Sequence, residues 1–128
     1  MEKHRVLIVE DEAPLVSLLV RTFSEEGFEV ASAGDGIDCM NKVATFLPDV
    51  IIMDIMMPKL DGIDATRLLR WNREYADTLI VALSARSDHE IREQMRKAGA
   101  DLYMTKPFVI SHLVERVKEL LEVRAGLH

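Results

Sequence analysis

Val50-Ile51-Ile52-Met53-Asp54-Ile55-Met56-Met57-Pro58 begins as an uninterrupted apolar run and ends on an aspartate and a proline-containing loop. A run this short and this apolar suits a strand buried on both faces, as in the middle of a parallel sheet. Asp61 then offers an N-cap for a helix expected to bury Leu68 and Leu69. Gly62 stands where a tight turn into that helix leaves no room for a Cβ. Strand, polar strand end, loop and helix make one unit, and the same unit recurs along the chain.

Upstream, Val6 to Val9 is a second continuous run, followed by Pro14 in a first helical turn and by Leu15, Leu18, Leu19 and Phe23 at helical spacing, with Gly27 as the stop. Phe28 to Ala33 alternates instead, Phe28 and Val30 flanking Glu29, as an edge strand with one wet face does. Its helix is read with Ile37, Met40, Ala44 and Leu47 on the apolar face and Pro48 as the close. Downstream, Leu79 to Leu83 is a fourth strand. Ser87 and Glu90 fit a capping box ahead of a stripe made by Ile91 and Met95, and Gly99 ends that helix. Leu102 to Met104 is the last strand, and Leu113, Val117, Leu120 and Leu121 line a final helix. Five strand–helix pairs predict an α/β fold: a doubly wound (βα)5 domain whose parallel five-stranded sheet has the order 2-1-3-4-5. The second and fifth strands are expected at its edges. All 128 residues are read as one domain, with a core from about residue 5 to 123.

Composition narrows the function classes. At 48% hydrophobic residues the chain can fill one core, and a formal net charge of -6 argues against a nucleic-acid surface. Its apolar runs fall far short of the roughly 20 residues of a membrane span. Met1-Glu2-Lys3-His4-Arg5 leads straight into a strand, without the longer apolar segment of a signal peptide, so a cytoplasmic location is expected. Cys39 is the sole cysteine, which leaves no internal disulfide, and its expected place is the core.

Right-handed crossovers place the C-terminal ends of all five strands on one edge of the sheet. The residues gathered there are Glu10-Asp11-Glu12 after the first strand, Asp54 after the third, Ser84 after the fourth and Lys106-Pro107 after the fifth. Converging carboxylates raise one another's pKa unless a cation neutralises them. An all-oxygen donor set favours a hard ion, Mg²⁺ or Mn²⁺, over zinc. A carboxylate is also a competent nucleophile for phosphoryl transfer, which makes Asp54 the candidate acceptor. Ser84 and Lys106 are placed to meet phosphoryl oxygens.

These residues resemble a known family, the receiver domains of bacterial two-component response regulators, over the chain from about Arg5 to Val123. Val6-Leu7-Ile8-Val9-Glu10-Asp11-Glu12 is similar to the family's first strand and acidic pair. Met53-Asp54-Ile55-Met56-Met57-Pro58 with Asp61-Gly62 resembles its phosphoacceptor segment. Ala82-Leu83-Ser84-Ala85 resembles its hydroxyl-bearing switch, and Gly99-Ala100-Asp101 with Lys106-Pro107-Phe108 its last strand and lysine. The resemblance implies a flavodoxin-like fold and a phosphoacceptor signalling switch, not an enzyme with a turned-over substrate. Asp54 would take a phosphoryl group from a sensor histidine kinase, a phosphotransfer protein or a small phosphodonor. Asp11 and Asp54 would hold the metal, with Glu10 acting through water and the Met56 backbone carbonyl adding a ligand. Lys106 would contact the phosphoryl group, while Ser84 and Tyr103 would move as switch residues. A cis peptide before Pro107 is implied. The readout would be the face of the fourth helix, fifth strand and fifth helix, roughly Asp88 to Leu121, for an effector or a second copy. Glu10 departs from the pattern, standing where aspartate is more usual.

Each residue also has a plainer reading. Acids favour a helix N-terminus, which accounts for Glu12 outright and would account for Glu10 and Asp11 if they stood alone. Tyr103 fits packing along an edge strand as well as a switch, Trp71 is expected to pack or lie at the rim, and Met40 and Met95 read as core. No role is assigned to His4, His89, His112 or His128. A pseudo-receiver, an interaction module independent of metal and phosphate, is one alternative, and an aspartyl-phosphate-forming metal-dependent phosphatase the other. The latter requires a second aspartate two residues after the nucleophile, where this chain has Met56.

Overall fold

A computed structural model of the chain describes residues 3–126, so His128 lies outside the described residues. Five strands, β1 (Arg5–Val9), β2 (Glu29–Ala33), β3 (Val50–Asp54), β4 (Leu79–Ser84) and β5 (Leu102–Thr105), alternate with α1 (Ala13–Glu25), α2 (Gly36–Phe46), α3 (Gly62–Trp71), α4 (His89–Ala98) and α5 (Ile110–Arg124). All pairings are parallel and the order is β2-β1-β3-β4-β5. The three uninterrupted apolar runs are the three interior strands, and the two edges are β2 and β5, both only partly buried. Among the described residues no helix is long and apolar enough to cross a membrane.

Alternation along each strand splits the core into two layers. Leu7, Val9, Ile51, Met53 and Ile80 pack with Cys39, Val43, Leu69, Ile91 and Met95 from α2, α3 and α4. Val6, Ile8, Val50, Ile52, Val81 and Leu83 pack with Leu19, Phe23, Leu113, Val117 and Leu121 from α1 and α5. Phe23 and Phe28 meet edge to face at 5.3 Å between ring centres, closing the second layer where α1 turns into β2.

The structure corrects four points of the sequence reading. The capping box at Ser87 is not formed: Asp88 is the N-cap of α4 and its carboxylate accepts the Ile91 N–H at 3.3 Å. Glu90 therefore stands at the second helical position, one short of where a capping-box acid reaches back. The buried stripe of α2 is Gly36, Cys39 and Val43, one residue out of phase with the expected one; Ile37, Ala44 and Leu47 are exposed. Leu18 and Leu68 are exposed as well, because neighbouring leucines lie about 100° apart on a helix and only Leu19 and Leu69 face the sheet. Trp71 is 90% exposed at the end of α3 and so is not packed.

The phase of α2 is set by one close approach. A Cβ on Gly36 would lie 2.0 Å from the Leu60 carbonyl oxygen, so α2 starts in contact with the loop between β3 and α3. Gly62 holds the other end of that loop: its N–H donates to the Ile55 carbonyl at 3.0 Å, and a Cβ there would lie 2.7 Å from the Asp54 carbonyl oxygen. Gly36→Ala is expected to cost about 1–3 kcal/mol by urea denaturation, whereas Gly34→Ala, which meets nothing within 4 Å, serves as the control. Equal stabilities for the two variants would show that the loop yields.

Candidate functional site

Because β1 and β3 are hydrogen-bonded neighbours, with Val9 opposite Met53, the residues just beyond them leave the sheet side by side. Glu10, Asp11 and Asp54 each place a carboxylate oxygen within 4.8 Å of the others. Asp54 and Glu10 are buried, at 4% and 2% exposure, while Asp11 and Glu12 are exposed. Ser84 closes β4 with its side chain fully buried. Lys106 comes after β5 and is held in register by its N–H on the Ser84 carbonyl at 2.7 Å; the peptide joining it to Pro107 is cis.

Lys106 is the one cation among these groups. Its ammonium donates to Glu10 Oε1 at 2.7 Å and lies 3.5 Å from Asp54 Oδ2 and 3.8 Å from Glu12 Oε1. Glu10 Oε2 accepts the backbone N–H groups of Asp11 and Glu12 at 3.1 and 3.2 Å. The glutamate thus joins the start of α1 to the lysine after β5, a span its extra methylene helps to cover. Asp54 Oδ1 accepts the Met56 N–H at 3.2 Å. Of the groups singled out in the sequence, Glu10, Asp11, Asp54 and Lys106 converge directly. The Met56 side chain points to solvent while its backbone is tied to Asp54.

Burial and the neighbouring Glu10 charge push the Asp54 carboxyl up to about 6, against the opposing pull of Lys106 and the Met56 N–H. Burial works against the Lys106 charge, but its hydrogen bond to Glu10 and the charges of Asp54, Glu10 and Glu12 outweigh this and raise its pKa, so it stays cationic. One ammonium against three clustered carboxylates leaves an excess of negative charge in a partly desolvated place. The donors are all oxygens, which fits a hard divalent cation and gives no purchase to a soft one.

The switch candidates sit beside this cluster and meet at a residue the sequence did not mark. Ser84 Oγ accepts the Arg86 N–H at 3.0 Å, and the Tyr103 hydroxyl donates to the Arg86 carbonyl at 2.6 Å. Both contacts are to main-chain atoms, which leave no residue-type signature, so they emerge only in the folded chain. The described histidines stay outside the cluster: His4 lies 3.6 Å from the Asp49 carboxylate at the opposite edge of the sheet, His89 opens α4 and His112 lies in the first turn of α5.

Comparison with known proteins places this geometry. Residues 6–118 match the family model described as response regulator receiver domain. The transcriptional regulatory protein PrrA of Mycobacterium tuberculosis is 42% identical over 122 residues, 95% of this chain and 52% of its own length. The response regulator MprA of the same organism is 37% identical over 91% of this chain and 50% of its own. The chain thus spans about half the length of the curated relatives it matches. Among solved structures, the chemotaxis protein CheY4 of Vibrio cholerae superposes with a TM-score of 0.88 at 27% identity, covering 93% of this chain and 99% of that one. A response regulator from Chloroflexus aurantiacus gives 0.88 at 31% identity, covering 94% and 98%. With the acidic cluster, the lysine and the strand order all in place, the chain belongs to the family of response regulator receiver domains.

Proposed function

We propose that this chain is a phosphoacceptor switch in which Asp54 receives a phosphoryl group. The observation that carries the reading is the burial of Asp54 at a strand end beside the Lys106 ammonium and the Glu10 and Asp11 carboxylates. In the transfer, an Asp54 carboxylate oxygen bonds to phosphorus as the bond to the donor, a phosphohistidine nitrogen or the leaving oxygen of a small phosphodonor, breaks. Lys106 stabilises the oxygens that carry the charge, and the Ser84 hydroxyl, whose acceptor side already holds the Arg86 N–H, donates to another. Asp11 and Asp54 would hold Mg²⁺ or Mn²⁺, with Glu10 acting through water and the Met56 carbonyl completing the protein's share. Bound there, the ion neutralises the carboxylates and the incoming phosphoryl oxygens.

Phosphorylation then biases a two-state equilibrium through Ser84 and Tyr103. The whole chain acts as one receiver unit with its core at about residues 5–123, in the cytoplasm. Its phosphodonor is a sensor histidine kinase or a phosphotransfer protein. An apolar groove lined by Pro14, Leu15, Leu18, Phe108 and Ile110, with Lys106 at its rim, opens beside the carboxylates and suits such a partner. The output is carried by the face of α4, β5 and α5 to an effector domain or a second copy. Likeness to relatives named as transcriptional regulators favours an effector that acts on transcription, the net charge of -6 keeping this segment itself off nucleic acid.

Incubation with acetyl phosphate and Mg²⁺ is expected to add one phosphoryl group by intact-mass spectrometry, dependent on Mg²⁺ and lost in Asp54→Asn. A metal-independent adduct, or one retained by the variant, would refute the reading.

The acid–base state of Asp54 supplies a second test. Its pKa of about 6 lies above the ordinary 3.8, so in metal-free protein the folded state binds the proton more tightly than the unfolded state. Stability from this group is complete below about pH 4 and is lost as pH rises through about 6. Asp54→Asn should therefore be more stable than the native chain at pH 7 in chelator, by roughly 1–3 kcal/mol, and no more stable at pH 4. Adding Mg²⁺ should close the gap. Melting curves that stay superimposed across this range would show that the carboxylate is not crowded.

A further inference from the structure

Beyond the residues that surround Asp54, one side chain ties Tyr103 and the β4–α4 loop to α4. Arg92 sits on the exposed side of α4, yet its guanidinium has three separate engagements. It lies over the Tyr103 ring, 4.7 Å from the ring centre. It donates to the Thr105 hydroxyl on β5 at 2.9 Å and to the Ser87 carbonyl in the β4–α4 loop at 3.3 Å. The residues of that loop, 85 to 88, are all exposed, so its position depends on a few polar anchors. Arg86 is held at both ends of its main chain, the N–H on Ser84 Oγ and the carbonyl under the Tyr103 hydroxyl, and its own guanidinium is taken by Asp88 at 3.0 Å.

A hydroxyl has one proton and two lone pairs. With the Arg86 N–H on a lone pair, the Ser84 hydroxyl keeps its proton to donate to a phosphoryl oxygen, and the loop holds its acceptor side. Tyr103 holds the loop by its carbonyl, and Arg92 holds Tyr103 by its ring. We propose that Arg92 is a positioning residue for phosphoryl binding, acting through Tyr103 to keep the β4–α4 loop and the Ser84 hydroxyl in the arrangement that a phosphoryl group at Asp54 favours. The inference rests on the reading of Asp54 as phosphoacceptor. It adds a requirement on a helix that touches none of the reacting atoms.

Linkage fixes the sign. If Arg92 stabilises the arrangement that binds the phosphoryl group, removing it must weaken that binding; if it stabilises the opposite arrangement, removal must tighten it. The size is that of one exposed cation–π contact with a side-chain hydrogen bond, about three- to tenfold in affinity. Lysine keeps a cation near the ring but not the fork that reaches Thr105 and Ser87 together, so Arg92→Lys should fall between.

The measurement is the affinity of the chain for beryllofluoride, a phosphoryl mimic, in the presence of Mg²⁺, read by ¹⁹F NMR for the native chain, Arg92→Ala, Arg92→Lys, Tyr103→Phe and the Arg92→Ala/Tyr103→Phe pair. The expected result is weaker binding in Arg92→Ala, a smaller loss in Arg92→Lys, and a pair that binds much as the worse single variant does, since both act through one contact. Thermal melts check that each variant is folded, as the exposed position of Arg92 leads one to expect. Native-like or tighter binding by Arg92→Ala, or losses that simply add in the pair, would overturn the positioning role and leave the phosphoacceptor reading intact. Failure of the native chain to bind, or binding retained by Asp54→Asn, would overturn both.

Discussion

The ion pair between Lys106 and Glu10 is the contact on which the site depends. Two interior strands deliver carboxylates to the same edge of the sheet, and neither acid can retreat because each stands at the end of a strand buried in apolar packing. Lys106, arriving from β5, stands against Glu10 at 2.7 Å and near Asp54 at 3.5 Å. Without that ammonium the edge would hold two buried carboxylates with no cation between them, a costly arrangement. With it the charge is only partly offset, and burial together with the neighbouring Glu10 charge keeps the Asp54 pKa high. The remaining excess of negative charge fits the divalent ion and the phosphoryl group proposed for this site.

Rigidity around Asp54 comes from the backbone. The loop beyond it is confined at both ends by glycines, Gly36 against Leu60 and Gly62 against the Asp54 and Ile55 main chain. Between them Lys59 adopts a left-handed conformation at φ 66 and pairs with Asp35, the N-cap of α2, at 3.6 Å. A carboxylate at the head of so constrained a loop keeps its direction, which is most of what the proposed phosphoryl transfer would ask of the protein. The β4–α4 loop differs. Its residues are exposed and held by side-chain contacts to Tyr103, Arg92 and Asp88, with no buried packing of their own.

Much of this was legible in the residues because the fold rewards simple periodicities. Strands buried on both faces have to read as continuous apolar runs, and consecutive parallel strands have to end on one edge. Val6 to Val9, Val50 to Met53 and Leu79 to Leu83 therefore announced the sheet and its interior, and the residues just beyond them announced the acidic edge. The helices were less legible. A stripe at helical spacing exists in more than one phase when apolar residues are adjacent, as with Leu18 and Leu19 or Leu68 and Leu69, and local sequence does not choose between phases. In α2 the choice fell to Gly36, whose missing side chain admits the Leu60 carbonyl, a partner 24 residues away in sequence.

The sequence by itself determined the strand order's two edges, the set of groups at the carboxyl ends and the absence of a soft donor among them, because each depends only on the chemical type of residues at fixed spacing. Tertiary structure alone decided which oxygen meets which cation, that Glu10 and not Asp54 is the lysine's nearest partner, and that Arg86 joins Ser84 to Tyr103 through its main chain. Those are distances between residues far apart in the chain, or contacts of backbone atoms that every residue possesses. Only the packed fold, which brings such atoms within reach, assigns them partners.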